Sequence, residues 1–155
     1  QSDAMLIEDA LFNEDLAPQP PQEWRDCVVR RTVFDALELE GLSFEGVMEG
    51  CAVMSTEFYW GLFNCALVAG TRFEACRFRS TSFRGCTFVD CEFVDCRFEL
   101  DNLGGDCTID DCLMAACRFV GCTWTTRAGD GKRDITRTRW LGCTHERCEG
   151  FDGMF

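Results

Sequence analysis

The most constraining feature of the sequence is a repeat of five residues, called the beat below, that is regular from Thr71 onward. From there the chain reads TRFEA CRFRS TSFRG CTFVD CEFVD CRFEL, with a small residue first and a phenylalanine third in each block. A period of five matches neither the 3.6-residue period of an α-helix nor the two-residue period of a plain strand. It predicts a chain that turns a corner every five residues and points one small and one large side chain inward from each block.

Four such blocks would make one square coil of roughly 20 residues, and successive coils would stack at the ~4.8 Å spacing of paired strands. A single coil cannot bury its own layer of rings, so several coils must stack. The core predicted from this pattern contains Phe73, Phe78, Phe83, Phe88, Phe93, Phe98, Phe119, Cys86, Cys91, Cys96, Cys112 and Cys117.

The beat extends in both directions. Residues 101–105 read as one more block, with Leu103 at the large position, and the beat continues after one extra residue. The later large positions are Ile109, Met114, Phe119, Trp124, Ile135, Trp140 and His145. The earlier ones are Trp24, Val29, Phe34, Leu39 and Phe44 and, after a slip of one residue, Met48, Val53, Phe58, Phe63 and Val68.

The 13 cysteines follow the same beat, since all but Cys65 occupy the small inward position. The chain contains no CxxC motif and only one histidine, whereas zinc sites use such closely spaced ligands. A free cysteine behaves as a small buried hydrophobic residue. The pattern therefore favours reduced, buried thiols over the two alternatives, a disulfide framework and a metal site, and no cofactor is expected.

The repeat resembles that of the pentapeptide-repeat proteins, whose usual pattern is A-(D/N)-L-x-x, with cysteine here in place of alanine and phenylalanine in place of leucine. The resemblance covers roughly residues 24–151. It implies an all-β fold, a right-handed quadrilateral parallel β-helix. It also implies a protein-binding role, because the family includes protectors of type II topoisomerases that resemble a DNA duplex, and other members belong to bacterial effector or toxin systems.

The ends of the chain depart from the beat. Residues 1–4, before Met5, are interpreted as the remnant of a tag, and residues 5–17 as an amphipathic helix that caps the solenoid and ends at Pro18. The domain prediction is thus a tag remnant, helical cap and connector over residues 1–23 and a β-helix over residues 24–155, with an inserted loop at about 125–134. At the other end, Phe151, Met154 and Phe155 are expected to close the solenoid or to form a dimer contact.

Charge is distributed unevenly along the chain. The net charge is −12, and residues 1–57 hold 13 acidic and three basic residues, a net of −10. Residues 58–155 are nearly neutral, with a net of −2. Stacking of the predicted blocks would place Arg77, Arg97 and Arg118 in a basic ladder on one side, and would align Asp90 with Asp110 on another.

Two departures from the beat are candidate partner-binding surfaces. Tyr59 and Trp60 should point outward, where aromatic residues often dominate binding energy, unless the N-terminal segment covers them. The insertion at residues 125–134 begins a basic segment and is either a recognition loop or a tolerated bulge. The basic candidates are Arg127, Lys132, Arg133, Arg137 and Arg139, together with Arg77, Arg97 and Arg118.

No constellation of residues points to catalysis. His145 and Cys143 could in principle pair as base and nucleophile, but their positions on the beat favour a core role, and the Gly-Asp-Gly-Lys run at residues 129–132 lacks the rest of a phosphate-binding loop. We therefore expect a non-enzymatic inhibitor or protector, foremost an immunity protein that neutralises a bacterial toxin such as a DNA-acting effector. The alternatives are a DNA mimic that protects a type II topoisomerase and a structural scaffold.

The expected partner is a protein, with no direct binding of nucleic acid because of the acidic balance. No run approaches the ~18 apolar residues of a membrane span and no secretory signal is recognised, so no membrane contact and a cytoplasmic location are expected. The chain is expected to be a monomer or a dimer formed through an end cap.

Overall fold

The computed structural model describes residues 5–14, 23–127 and 134–155, and these residues form short strands joined by tight corners. In chain order the strands are Met5–Glu8 (β1), Leu11–Asn13 (β2), Glu23–Arg30 (β3), Val33–Asp35 (β4), Glu38–Glu40 (β5), Ser43–Glu49 (β6), Ala52–Met54 (β7), Glu57–Tyr59 (β8), Leu62–Asn64 (β9), Leu67–Ala69 (β10), Arg72–Glu74 (β11), Arg77–Arg79 (β12), Ser82–Arg84 (β13), Thr87–Val89 (β14), Glu92–Val94 (β15), Arg97–Glu99 (β16), Thr108–Asp110 (β17), Leu113–Ala115 (β18), Arg118–Val120 (β19), Thr123–Trp124 (β20), Asp134–Thr136 (β21), Arg139–Leu141 (β22) and Thr144–Glu146 (β23).

The strands build the four sides of a parallel β-helix, which confirms the predicted parallel β-helix. Side 1 contains the first parts of β3 and β6 with β9, β13, β17 and β21, and side 2 contains β1, the second parts of β3 and β6, and β10, β14, β18 and β22. Side 3 is β2, β4, β7, β11, β15, β19 and β23, and side 4 is β5, β8, β12, β16 and β20. Parallel, in-register pairing places equivalent residues of successive coils above one another, as in Phe73 opposite Phe93.

The core consists of aromatic rings stacked along each side. On side 4 the ring centroids of Phe58, Phe78, Phe98 and Trp124 follow one another at 5.1, 5.0 and 4.8 Å. On side 3 those of Phe73, Phe93 and Phe119 are 4.8 Å apart. Because these distances match the strand spacing, the backbone pairing and the ring stacking reinforce each other. In most blocks the residue two positions after the large one has a positive φ and turns the corner.

The small inward positions hold the cysteines. All 13 are free thiols, and ten of them are buried. A typical thiol, that of Cys96, donates to the carbonyl of Phe73 one coil away at 3.3 Å, and the hydroxyl of Thr81 donates to Phe58 O in the same way at 3.1 Å. Burial raises the pKa of the Cys107 thiol to about 11. Cys65 is instead exposed at a corner with a φ of 51°.

The predicted helical cap is wrong. Residues 5–14 form β1 and β2, which pair in parallel with β3 and β4 and bring Ile7 opposite Val29 and Phe12 opposite Phe34. The apolar residues of this segment fit one face of a helix, but Ile7 and Phe12 also lie five residues apart. Pairing with a preformed sheet outweighs helix formation in so short a segment, which is marginal in isolation. The described residues are therefore already part of the coils at Met5, whereas residues 15–22 and residues 1–4 lie outside the described part of the chain.

The slip after Phe44 has a structural cause. Strand β6 runs straight through the corner between sides 1 and 2, and the register of its partner β3 shifts between Arg25 and Cys27. A Cβ on Gly46 would come within 2.6 Å of Cys27 Sγ and would also collide with the Cys27 carbonyl. Only glycine lets the shortened coil close at this position.

Two insertions occur at one corner, between sides 4 and 1. Ten residues separate Phe98 from Ile109, and ten separate Trp124 from Ile135, where a regular block has four. The first insertion, the 100–106 loop, contains Leu103, which is 84% exposed rather than inward. The sequence pattern assigned this loop to one side of the coil. The predicted side of every later block is therefore wrong by one.

The predicted charge ladders fail for this reason. Arg77 and Arg97 are paired in register on side 4, but Arg118 lies on side 3 opposite Glu92. Asp110 pairs with Arg84 on side 1, and Asp90 is a corner residue whose N–H donates to Ala115 O. The extra residues sit entirely within one corner, so the sides before and after it remain adjacent.

The C-terminal residues close the end of the solenoid. Phe151 is buried against Phe119 at a centroid distance of 5.2 Å, and Phe155 stacks on Trp140 at 4.7 Å. These contacts cover the rings of the last coil, which an open end would expose to water. Within the described ranges we find no helix of the length and apolarity needed to cross a membrane.

Candidate functional site

Tyr59 and Trp60 form an outward-facing aromatic pair at the corner between sides 4 and 1. Their ring centroids are 4.9 Å apart, and Trp60 is 49% exposed. Trp60 has a φ of 56°, in the left-handed region that bulky residues disfavour, while the same corner one coil earlier is taken by Gly41. A large residue persists in such a conformation only where its surroundings hold it.

The 100–106 loop holds the indole of Trp60. Its Nε1–H donates to Asp101 Oδ2 at 2.8 Å, and Asp101 Oδ1 accepts the N–H groups of Leu103 and Gly105 at 2.7 and 2.8 Å. These bonds, that of Gly105 foremost, lower the pKa of Asp101 to about 2. A loop from a later coil therefore covers part of Trp60 and leaves half of the side chain exposed. The cover expected from the sequence is the N-terminal segment, of which residues 15–22 lie outside the described part of the chain.

Arg79 completes this arrangement from side 4. Its guanidinium carbon lies 4.9 Å from the Tyr59 ring centroid, and the group donates to Glu57 at 3.2 Å and to Asn102 at 2.9 Å. The five residues Tyr59, Trp60, Arg79, Asp101 and Asn102, which we call the Trp60 corner, therefore fix one another through stacking and hydrogen bonds.

An open groove of 520 Å³ runs beside the Trp60 corner across the first coils of side 4. We call it the side 4 groove. It is lined by Glu38, Leu39, Glu40, Glu57, Tyr59, Trp60, Arg79 and Asn102. Three carboxylates and one guanidinium line it, so its charge is negative, and an aromatic pair forms one border. Such a site can bind a cationic or amphipathic group.

The predicted basic candidates do not converge on one surface. Four of the eight are neutralised in place. Arg77 and Arg97 both contact Glu99, at 2.9 and 3.3 Å. Arg118 contacts Glu92 and Glu146, and Arg137 contacts Asp110 at 2.9 Å. Arg137 also lowers the pKa of Asp110.

The rest of the basic segment is dispersed or undescribed. The backbone N–H of Arg127 donates to Asp106 at 3.1 Å, which joins the second insertion to the first, and Arg139 is exposed on side 2. Lys132 and Arg133 lie outside the described residues, as does most of the predicted 125–134 loop. A continuous basic surface is therefore not built from the described candidates.

Sequence reasoning placed Tyr59 and Trp60 on the outside but missed the residues that organise them. Asp101 and Asn102 were counted as part of a regular block, and Glu38, Glu40 and Arg79 as ordinary surface. A signal was present in the run Asp-Asn-Leu-Gly-Gly, because Asp, Asn and Gly are typical of loops and Asp often binds the backbone N–H two residues on. The contact between Asp101 and Trp60 spans 41 residues and has no local signature.

The Cys143 and His145 pair is part of the end of the core. The Cys143 thiol donates to Met114 O at 3.2 Å, and the His145 ring lies 5.4 Å from that of Phe155. Burial raises the pKa of Cys143, which disfavours the thiolate that a nucleophile needs. Among the described residues, no three His, Cys, Asp or Glu side chains are grouped so that they could hold a metal ion.

Comparisons with known proteins add only a likeness of fold. No family model and no curated protein matches the chain. Among solved structures, the pentapeptide-repeat protein Rfr23 from the cyanobacterium Cyanothece is 6% identical, with 82% of this chain and 90% of that one covered and a TM-score of 0.46. QnrB1, a plasmid-mediated fluoroquinolone resistance protein, is 11% identical over 89% and 91%, with a TM-score of 0.29.

A third similar structure is HetL, a pentapeptide-repeat protein involved in heterocyst differentiation regulation from the cyanobacterium Nostoc, with 7% identity, coverage of 93% and 84%, and a TM-score of 0.27. At such low identity and TM-score these structures say nothing of what this chain does. Its own five-residue beat, wound into four-sided parallel coils, defines it as a pentapeptide-repeat solenoid.

Proposed function

We propose that the protein is a non-catalytic binding protein of the immunity type, which neutralises a protein toxin by binding it through the Trp60 corner and the side 4 groove. The observation that carries the proposal is Trp60 itself, an aromatic side chain placed outside a rigid core, in a disfavoured backbone conformation, and held by Asp101 at 2.8 Å. Preorganised, partly exposed aromatic residues are typical centres of binding energy.

Charge supports the same choice of surface. The groove lies on the first coils, where the excess of acidic residues is concentrated, and a basic toxin, such as a DNA-acting one, would be attracted to it. The later coils carry compensating ion pairs, of which the series Arg72–Glu92–Arg118–Glu146 on side 3 is the longest described. This distribution favours recognition at one end of the rod over imitation of a uniformly charged DNA duplex.

The test is capture of the partner by immobilised protein, followed by inhibition of that partner in solution. We compare the wild type with Trp60→Ala and with Leu67→Ala, a control that truncates another exposed apolar residue, on side 2. The wild type and Leu67→Ala should retain one toxin-like protein and abolish its activity at a stoichiometric ratio, whereas Trp60→Ala should bind it at least tenfold more weakly.

Two results would contradict the proposal. If the captured protein binds Trp60→Ala as tightly as it binds the wild type, the Trp60 corner is not the contact. If the captured protein keeps its full activity in the saturated complex, the solenoid is a scaffold rather than an inhibitor.

A further inference from the structure

We propose that the side 4 groove binds the guanidinium of an arginine side chain supplied by the protein partner. This inference rests on the proposed function and deepens it by naming the group that the groove recognises. Three kinds of observation support it: the balance of charge in the groove, the exposed indole at its border, and the fixed position of that indole.

The balance of charge leaves room for a second cation. The groove contains the carboxylates of Glu38, Glu40 and Glu57 and the single guanidinium of Arg79. Each nitrogen of the Arg79 guanidinium already donates a hydrogen bond. The acceptors are Glu57 at 3.2 Å, Asn102 at 2.9 Å and the Leu100 carbonyl at 3.4 Å. Glu38 is exposed and forms no ion pair with any residue that the structure describes. An incoming cation therefore meets the carboxylate of Glu38, which Arg79 does not neutralise.

The aromatic border selects for a flat cation. Trp60 stacks on Tyr59 and yet is half exposed, so part of its indole is available for contact from the groove. A guanidinium stacks on an indole face through cation–π attraction while its N–H fork donates to carboxylates. An ammonium lacks both the planar shape and the fork. Arg79 already makes this combination with Tyr59 and Glu57 in the same groove.

The indole does not need to be ordered on binding. The hydrogen bonds that Asp101 accepts from Trp60, Leu103 and Gly105 hold the ring against the corner, and the coil beneath it is anchored by the buried Phe58. Preorganisation reduces the entropic cost of recognition. The groove, at 520 Å³, is also open enough to admit a side chain that projects from a folded partner.

The experiment is a titration of the whole protein with Nα-acetyl-arginine N-methylamide, followed by ¹H–¹⁵N NMR. The Trp60 indole signal, assigned with Trp60→Phe, should shift in a saturable way at millimolar probe, while the buried Trp24 and Trp124 signals stay in place. The citrulline analogue, which has nearly the same shape but no charge, should produce no saturable shift. The lysine analogue should bind several-fold more weakly.

Matched variants locate the site. Glu38→Gln with Glu40→Gln should weaken arginine binding roughly tenfold. Glu23→Gln with Glu45→Gln removes the same charge from side 1 of neighbouring coils and should change the affinity for the arginine probe less than twofold. Unchanged Trp24 and Trp124 signals in both double variants establish that they are folded.

The assignment to a guanidinium site would be overturned if the citrulline or the lysine analogue bound as tightly as the arginine probe. It would also be overturned if the two double variants weakened arginine binding equally. These failures are distinct from failure of the proposed function. If the toxin is still captured and Trp60→Ala still binds it at least tenfold more weakly while the arginine probe does not bind, only the inference about arginine is wrong.

Discussion

The aromatic ladder of side 4 and the Trp60 corner beside it use the same residue types in opposite ways. In the ladder, rings stack inside the coil, and Phe78 between Phe58 and Phe98 has no exposed surface. At the corner, two residues after Phe58, Trp60 points outward from a left-handed backbone position and depends on a loop from a later coil. The repeat provides stability, and the proposed recognition site lies where the repeat is broken.

The largest expected effect is on the ladder. Phe93→Ala removes a ring stacked at 4.8 Å between Phe73 and Phe119. A cavity of this kind in a close-packed core should lower the free energy of unfolding by ~3–5 kcal/mol. Leu103→Ala, in the exposed 100–106 loop, should change it by less than ~0.5 kcal/mol. Urea unfolding followed by circular dichroism measures both, and similar losses would mean that the inside and outside of the coil are misassigned.

A second expected difference concerns the thiols inside and outside the coil. At pH 8, Cys65 should react with a thiol reagent first, Cys143 and Cys148 more slowly, and the ten buried cysteines only on unfolding. Burial raises the pKa of Cys27 and of Cys107 to about 11, so that their reactive thiolate forms are scarce. The Cys65→Ser variant should lack the fast phase. In denaturant without reductant all 13 should react, and a smaller number would indicate disulfides.

The contrast between ladder and corner also explains how far the sequence predicts the structure. The inside and outside of a coil follow from a period of five, so the rings, the thiols and the outward Tyr59 and Trp60 could be located from the pattern. The five-residue pattern alone does not locate the 100–106 loop, because residues 101–105 have the length of a block and contain Leu103 at the expected place. Whether such a segment forms a side of the coil depends on the strand with which the following residues pair. Ile109 pairs with Phe83 on side 1, so the segment before it is a corner loop.

The N-terminal segment illustrates the same limit. Leu6, Ile7, Ala10 and Leu11 suggested a helix, since local periodicity does not report that β3 and β4 offer free edges to pair with. The groove was missed for a related reason. Its members come from three coils and one loop, and each of them alone looks like an ordinary solvent-facing residue.

A smaller effect is expected at the corner. Trp60→Gly should change the free energy of unfolding by less than ~1 kcal/mol, because relief of the left-handed backbone offsets the lost stacking on Tyr59. Phe58→Ala, two residues earlier and inside the coil, should cost ~3–5 kcal/mol. Paired urea titrations give the comparison. A loss above ~2 kcal/mol for Trp60→Gly would make Trp60 a structural residue and would remove the main support for a binding role.

The smallest expected effect is local and depends on pH. The pKa of Asp101 is lowered to about 2 by its bonds to Gly105, Trp60 and Leu103, whereas an unfolded aspartate titrates near ~3.9. A lowered pKa means that the ionised carboxylate stabilises the loop, fully above the unfolded value and progressively less as the pH falls through about 2. The Trp60 indole signal should therefore be constant above about pH 4 and shift below it, with a midpoint near 2, while Trp24 is unaffected.

Two variants make this titration specific to Asp101. Asp101→Asn should abolish it and should leave the indole signal at its low-pH position throughout, because a neutral side chain cannot reproduce the charged acceptor. Asp106→Asn, which alters a carboxylate in the same loop that accepts from Arg127 instead, should leave the titration in place. If Asp106→Asn abolished the transition, or if Asp101→Asn preserved it, a group other than Asp101 would hold Trp60. The Trp60 corner would then lose the preorganisation that distinguishes it from the ladder.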